Sequence, residues 1–323
     1  MSVPSFHLIL AAPRGYCAGV DRAVETVERA LELSPEEPVY VRKQIVHNAH
    51  VVKELERRGA IFVESEHDVP PGATVVFSAH GVSPAVHVNA KARGLQVIDA
   101  TCPLVTKVHS EARRFAARGY TILLIGHAGH EEVVGTMGEA PDAIRLVESA
   151  EEVDALTFSP DTPLAFVTQT TLSVDETQLV VNRLRQRFPW IEAPPKDDIC
   201  YATSNRQAAV KALAREVELV LVIGSRNSSN SCRLVEVASE AGTPAYLIED
   251  ETAIDPAWID GVTTIGITSG ASAPERLVQR VVQWFRARGE VELGELETVH
   301  EDVAFALPRP IRRALAVVDG PTA

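Results

Sequence analysis

Three cysteines, Cys17, Cys102 and Cys200, each precede a segment whose apolar residues recur with helical spacing. The first lies in Pro13-Arg14-Gly15-Tyr16-Cys17-Ala18-Gly19-Val20-Asp21-Arg22, a glycine-flanked turn. It follows the apolar run Leu8–Ala12, which reads as a strand. It leads into Val20–Leu33, where Val20, Ala23, Val24, Val27, Ala30 and Leu31 share one helical face. At a helix start, free backbone N–H groups and the positive end of the helix dipole favour a thiolate. Such a thiolate ligates a soft metal or attacks an electrophile. The alternative is a buried cysteine acting as a small hydrophobe, and this stretch alone does not separate the two.

Polar groups recur at strand ends after each cysteine. A first strand ends in His47-Asn48, in His127 to Glu132, or in Ser225 to Asn230. A second ends in Ser78-Ala79-His80, in Thr168 to Thr171, or in Ser269 to Ser272. Any α/β unit has some polar strand ends, which accounts for one or two of these loops. It does not account for histidine, hydroxyl and amide groups, with little Lys or Arg, in all six. Three similar units bring three thiols and six loops to one shared site.

Three thiolates suit an iron–sulfur cluster, and a four-iron cube held by three cysteines leaves one iron open to an oxygen-bearing substrate. Zinc on three cysteines competes. Such zinc sites usually add a nearby histidine, and none adjoins these cysteines in sequence. His47, His80, His130, Thr170, Ser228, Ser229, Asn230 and Ser272 supply the remaining polar groups. Histidines able to carry charge, hydroxyls and helix-start amides together form a cradle for a phosphate or diphosphate. The acids of the six loops are Glu131 and Glu132. In an extended loop Glu132 lies on the same side as His130, which makes it the better proton donor. Cys232 has no counterpart in the repeat and reads as a packed thiol inside a helix beginning there.

The elements that must position these groups alternate strand and helix, which predicts an α/β protein. The expected architecture is three pseudo-symmetric α/β lobes with mainly parallel sheets around a central iron–sulfur cluster. The lobes are expected over 1–98, including the N-terminal strand, 99–196 and 197–288. The tail 289–323 is proline-dotted and reads as irregular, with its last dozen residues mobile. The chain has 323 residues, is 46% hydrophobic and carries a formal charge of −13. That charge argues against non-specific binding to nucleic acid or an anionic membrane. No apolar run reaches the length of a membrane span, and Met1 to His7 lacks the pattern of a signal peptide. A cytoplasmic location is expected. The four cysteines show no Cys-x-x-Cys spacing and do not read as a disulfide framework.

The ordered motifs resemble one known family over residues 8 to 285. They are Pro13 to Ala23, Ile45-Val46-His47-Asn48, Ser78 to Val82, Asp99 to Val105, Gly126 to Thr136, Thr168 to Ser173, Ile199 to Gln207, Ser228 to Ser231 and Gly270 to Pro274. They are similar to those of the 4-hydroxy-3-methylbut-2-enyl diphosphate reductases. The resemblance implies a [4Fe–4S] cluster on Cys17, Cys102 and Cys200, degraded to [3Fe–4S] where the open iron is lost in a crystal. It implies the last step of the non-mevalonate isoprenoid pathway. There an allylic alcohol diphosphate places its hydroxyl on the unique iron and loses it with two electrons and two protons. The products are isopentenyl and dimethylallyl diphosphate. It further implies that His47, His80, His130, Ser228, Ser229, Asn230 and Ser272 hold the diphosphate. Thr170 and Glu132 then lie near the hydroxyl, with Glu132 as proton source, and reduced ferredoxin or flavodoxin supplies electrons. Three residues depart from the family pattern: Tyr16 where Phe is common, Glu131 where Pro is frequent, and Cys232 where Asn is frequent. Two other functions share these motifs' chemistry: a redox-inert isomerase or dehydratase, and an iron–sulfur sensor of isoprenoid diphosphates.

Overall fold

A computed structural model describes residues 4–318. The chain goes through the same cycle three times. Strand β1 (Ser5–Ala12) leads to Cys17. Helix α1 (Ala18–Leu33), β2 (Val39–Arg42), α2 (Ala49–Arg57), β3 (Ala60–Val63), β4 (Thr74–Phe77), α3 (Pro84–Ala92) and β5 (Gln96–Asp99) then lead to Cys102. Next come α4 (Pro103–Ala117), β6 (Thr121–Ile125), α5 (Glu131–Met137), β7 (Ile144–Val147), α6 (Ala150–Ala155), β8 (Leu164–Thr168) and α7 (Val174–Arg187), ending before Cys200. The third cycle is α8 (Tyr201–Leu213), β9 (Leu219–Ile223), α9 (Ser229–Glu240), β10 (Ala245–Ile248), β11 (Thr264–Ser269) and α10 (Glu275–Arg286). Strand β12 (Glu290–Glu297) and helix α11 (Arg309–Val318) follow.

The three sheets share one strand order, and every pairing is parallel. They run β3-β2-β4-β5, β7-β6-β8 and β10-β9-β11-β1-β12. In each, the first strand of the cycle lies between the second and the third. A fourth position follows the third strand: β5 beside β4, β1 beside β11, and a parallel bridge from Glu192 to Ala165 on β8. Each fourth position comes shortly before a cysteine. Strand β1, expected at the head of the first lobe, therefore occupies the fourth place of the third sheet, with His7 opposite Thr264 and Leu10 opposite Ile267. Strands β4, β8 and β9 are buried along their whole length. This is why they read as unbroken apolar runs: helices cover both faces of a parallel sheet.

The described residues divide into two compact units. One holds the chain up to Cys17, His47–Val51 and Tyr201–Val303, and so contains the β9 sheet; the other holds Ala18–Val46, Val52–Cys200 and the chain from Ala304, and so contains the β2 and β6 sheets. In the first, α10 lays Leu277, Val278, Val281, Val282 and Phe285 against Phe6, Leu8 and the inner face of β9 and β11. In the second, Val75 and Phe77 centre one core, and Leu123, Phe166 and Leu184 centre another.

The tail is more regular than expected. Strand β12 pairs with β1 over eight residues, Ser5↔Glu290 to Ala12↔Glu297. Its sequence, EVELGELE, is poor in strand formers, and its acids mark an outer strand that resists pairing with other chains. The partner edge on β1 makes it a strand. Helix α11 tolerates Pro310 because the first turn has no N–H to satisfy within the helix, and its Ile311 is buried. Part of the stretch expected to be mobile is thus helical through Val318. The expectation for 319–323, like the reading of residues 1–3, falls outside the described residues. Among the described residues, no helix is long and apolar enough to cross a membrane.

Candidate active site

None of the four cysteines is in a disulfide, and all four are half-buried. Cys17 immediately precedes α1, Cys102 is the N-cap of α4, and Cys200 immediately precedes α8. Each backbone N–H is anchored on a strand-end loop singled out in the sequence. Cys17 donates to the Ala271 carbonyl at 3.3 Å, Cys102 to Ala79 at 3.0 Å and Cys200 to Thr170 at 3.0 Å. The backbones of the three cysteines are therefore tied to the loops that carry Ser272, His80 and Thr170 in turn. Among the described residues, no group of three or more His, Cys, Asp or Glu side chains is arranged to hold a metal ion. The donor chemistry nevertheless fits an iron–sulfur group. Three thiols, soft donors, stand at three helix starts, and none is committed to a disulfide.

In the unit carrying the β2 and β6 sheets, the structure joins Glu132 to Thr170. The Thr170 N–H donates to Glu132 Oε1 at 2.6 Å, and its hydroxyl donates to Oε2 at 2.9 Å. Glu132 is only 2% exposed. Burial pushes its carboxyl up to about 7, and the charge of Asp198 adds to the rise; the two bonds from Thr170 oppose it without winning. A carboxyl balanced near neutrality can donate a proton at physiological pH. Glu131, the neighbouring acid, is more exposed and lies 3.7 Å from the Lys43 ammonium.

The link between His130 and Glu132 differs from the sequence expectation. Their segment is not extended: both acids lie in the first turn of α5, and His130 is its N-cap. The His130 Nδ1 accepts the Glu132 N–H at 3.2 Å, which puts that ring's proton on Nε2. The capping bond won over an extended loop because it satisfies an amide that a helix start leaves open. The His80 and His130 rings meet edge to face at 5.9 Å between centroids, and His80 Nδ1 lies 3.3 Å from the Ser78 hydroxyl. Gly81 turns the chain behind His80 with φ +82°, and the helix glycine Gly135 packs against the Gly81 carbonyl, where a Cβ would stand at 3.3 Å. Replacing Gly81 by Ala forces a left-handed alanine and puts its Cβ 3.0 Å from His109. We expect Gly81→Ala to cost about 1–2 kcal/mol or more, seen as a lower urea midpoint together with weaker diphosphate binding.

The unit carrying the β9 sheet gathers the other predicted groups. The Ser272 hydroxyl donates to the His47 carbonyl at 2.9 Å, the Asn227 amide lies 3.4 Å from His47 Nδ1, and the Ala49 N–H donates to the Ser225 hydroxyl at 3.3 Å. Burial pushes the His47 imidazole down to about 4. The sequence reading gave this histidine a share of positive charge; in this pocket it is neutral at pH 7. A bound anion would pull the value back up. Helix α9 begins earlier than expected. Ser228 is its N-cap, and Ser229 and Asn230 form its first turn, so their amides belong to a helix start. Ser231 is buried between Gly224 and Gly270, where Cβ atoms would stand 2.2 and 2.0 Å from its hydroxyl, and it donates to the Ser228 hydroxyl at 3.0 Å. The Asn230 side-chain amide, only 4% exposed, has neither of its polar atoms in a hydrogen bond among the described residues. The Ser269 hydroxyl is also unmatched. Leaving such groups unsatisfied costs about 1–3 kcal/mol each, so this pocket fits a polar ligand. Cys232 stays apart from that role. Its thiol donates to the Arg226 carbonyl at 3.2 Å, and burial raises its pKa, which keeps it a thiol.

The sequence reading did not single out Asp198. Its carboxylate is buried, accepts the Thr168 N–H at 2.9 Å and the Lys107 ammonium at 2.9 Å, and supports the loop that carries Thr170. Its position two residues before Cys200 was the available signal. Glu111 beside it is pushed up to about 7 by burial and by Asp198.

Comparison with known proteins gives a consistent picture. The LytB protein family model matches residues 8–286. The chain is 61% identical over 307 residues to a protein of Mycobacterium tuberculosis (strain ATCC 25618 / H37Rv) named 4-hydroxy-3-methylbut-2-enyl diphosphate reductase 2, covering 95% of this chain and 91% of that one. It is 60% identical over 309 residues to the 4-hydroxy-3-methylbut-2-enyl diphosphate reductase of Rhodococcus opacus (strain B4), covering 95% and 92%. Among solved structures, the E-1-hydroxy-2-methyl-but-2-enyl-4-diphosphate reductase of Plasmodium falciparum superimposes with a TM-score of 0.94 at 41% identity, covering 98% of this chain and all of that one. A second, described as the terminal enzyme of the non-mevalonate pathway, gives a TM-score of 0.63 at 32% identity, covering 87% and 99%.

Proposed function

The chain belongs to the LytB protein family, and from that premise we propose how its own residues divide the work. Its activity is the reduction of 4-hydroxy-3-methylbut-2-enyl diphosphate, the terminal reaction of the non-mevalonate pathway, and it is an oxidoreductase. Cys17, Cys102 and Cys200 hold a [4Fe–4S] cluster. When bound, that cluster supplies an electron path and a Lewis-acidic iron for the substrate hydroxyl. Reduced ferredoxin or flavodoxin is the electron source, in the cytoplasm.

The substrate loses its allylic hydroxyl as water. The C–O bond breaks, two electrons enter the carbon fragment, one proton leaves with the oxygen and one is added to carbon. Protonation at either end of the allylic fragment yields isopentenyl or dimethylallyl diphosphate. His47, Ser228, Ser229, Asn230 and Ser272, with His80 and His130, bind the diphosphate. The unmatched side-chain amide of Asn230 is open to phosphate oxygens, and the start of α9 favours an anion there. Remote binding of this group holds the carbon chain in place. Thr170 orients Glu132, which delivers the proton.

The observation carrying this reading is one hydrogen-bonded chain. The Cys200 N–H bonds the Thr170 carbonyl, and the same threonine holds Glu132 with its N–H and hydroxyl. A ligand cysteine and a carboxyl protonated near neutrality are thus tied to one residue. An anaerobic assay with and without a chemical reductant tests the reading. We expect product only with reductant, with electrons consumed in proportion. Product formed at an equal rate without reductant identifies an isomerase or dehydratase instead. Tight diphosphate binding with no product under either condition identifies a sensor.

A further inference from the structure

The turns that present the three cysteines are each gripped by a cation from the helix that follows a different cysteine. Arg22, fifth residue of α1, donates to the carbonyls of Ala100 at 2.9 Å and Thr101 at 3.1 Å, the two residues before Cys102. Its third bond holds the Ala306 carbonyl at 2.8 Å. Lys107, fifth residue of α4, donates to the carbonyls of Lys196 at 2.7 Å and Asp197 at 2.9 Å, and to the Asp198 carboxylate, on the approach to Cys200. Arg206, sixth residue of α8, donates to the carbonyls of Gly15 at 2.8 Å and Tyr16 at 3.3 Å, the two residues before Cys17. The order closes on itself. The helix after Cys17 serves Cys102, the helix after Cys102 serves Cys200, and the helix after Cys200 serves Cys17.

The groups are not spare surface charges. Among the described residues Arg206 is the largest fully buried side chain, and it also holds the Ala202 carbonyl and Glu301. Two of the cations carry acidic partners, Glu301 for Arg206 and Asp198 for Lys107, with Glu111 at 3.8 Å from Lys107. Net charge at the turns is therefore not their common feature. The common feature is a pair of consecutive main-chain carbonyls fixed ahead of each cysteine, one and two residues before Cys102 and Cys17 and three and four before Cys200. Carbonyls in such a turn point where the chain directs them, and a multi-donor cation sets two at once. Once they are set, the following cysteine has its N–H anchored on a strand-end loop and its preceding carbonyls anchored on a helix.

We propose that Arg22, Lys107 and Arg206 are positioning residues that hold the three cysteine-bearing turns in the geometry that retains the cluster. This rests on the cluster reading above. Outer residues that orient metal ligands typically change retention by about 10–100-fold when removed. A merely structural cation does not affect retention beyond its effect on folding.

The test reconstitutes the wild-type chain, Arg22→Met, Lys107→Met and Arg187→Met under anaerobic conditions. It follows iron release into a chelator by loss of cluster absorbance, alongside thermal midpoints and the EPR spectrum of the reduced protein. Arg187 is the matched control: it donates to the carbonyls of Asp154 at 2.6 Å and Leu156 at 2.8 Å, neither of which precedes a cysteine. Expected is iron release about 10–100-fold faster in Arg22→Met and Lys107→Met, with altered EPR line shapes, and wild-type release in Arg187→Met at a similar loss of thermal midpoint. Arg22→Lys keeps one donor group and is expected to recover part of the retention. If Arg22→Met does not fold, that milder variant and Lys107→Met decide the question. Release and spectra equal to wild type in these variants, or release that tracks the thermal midpoint equally in Arg187→Met, overturn the proposal. A wild-type chain that takes up no iron and sulfide overturns the cluster reading itself, and this inference with it.

Discussion

Glu132→Gln is expected to lower kcat by about 10²–10⁴-fold while leaving diphosphate binding near its wild-type strength. The amide keeps the shape of the carboxyl. It can still accept the Thr170 N–H that now reaches Oε1 at 2.6 Å, and the threonine hydroxyl can turn to accept from the new NH₂. What is lost is the transferable proton. The pH profile gives the same residue a second signature. With the carboxyl pushed up to about 7, the active protonated form dominates below that pH and drains away above it. The wild-type kcat should therefore fall by about tenfold per pH unit on the alkaline side, a limb missing from the residual activity of Glu132→Gln.

Stability follows the same sign. The folded chain retains a proton that the unfolded chain, with its ordinary value of 4.5, has released. The stabilising contribution is full below pH 4.5 and is lost as pH rises through about 7. Glu132→Gln should flatten that part of a denaturation-versus-pH curve. Glu131→Gln is the companion measurement. That side chain faces Lys43 and not the buried threonine, so its kcat should stay within about threefold of wild type, well short of general-acid magnitudes. A wild-type kcat in Glu132→Gln, with the loss appearing in Glu131→Gln, would reverse the assignment of the two acids.

Removing any one of Cys17, Cys102 and Cys200 should have an even larger effect. Loss of an outer partner of a metal ligand costs about 10–100-fold, and a ligand itself costs more. We expect Cys17→Ser, Cys102→Ser and Cys200→Ser each to abolish measurable turnover, with iron and sulfide content and the EPR signal of the reduced protein falling together. Far-UV circular dichroism should remain that of the wild type, because the buried faces of α1, α4 and α8 hold these helices and the Cys102 side chain makes no capping bond. Cys232→Ser is the informative control. That thiol is bonded to the Arg226 carbonyl and kept protonated by burial, so its loss should leave iron, sulfide and kcat unchanged. Iron content that survives in one of the three variants but drops in Cys232→Ser would mean that a different trio of thiols holds the metal.

Much of this protein is visible from neighbours along the chain. Apolar runs and helical apolar faces are local properties, and they located Leu8–Ala12 within β1 and Val20–Leu33 within α1. The loops at strand ends are local too, which is why His80, Thr170 and Ser272 could be singled out before any contact was known. Ser173 stands three residues before Glu176, the spacing of a helix cap, and its hydroxyl accepts the Glu176 N–H at 3.3 Å at the start of α7.

The boundaries that failed did so where a local pattern was ambiguous. The serine-rich stretch before Cys232 looks like a loop, because Ser and Asn favour turns as well as helix starts. It folds as the cap and first turn of α9 once the Ser228 hydroxyl accepts the Ser231 N–H.

Residue order by itself determined the element types, the threefold recurrence of cysteine and polar loop, and the family. Tertiary structure alone decided which sheet receives β1 and that the acidic tail strand β12 pairs with it. It alone raised Glu132 and lowered His47, since those shifts come from atoms brought close by folding and from the water they exclude. The cations before each cysteine turn belong to the same class. Arg22 and Thr101, or Arg206 and Gly15, are distant in the chain and meet only in the folded protein. A local pattern reports what a residue's neighbours in sequence permit. Partnership, burial and protonation depend on neighbours in space, and those are chosen by the whole fold.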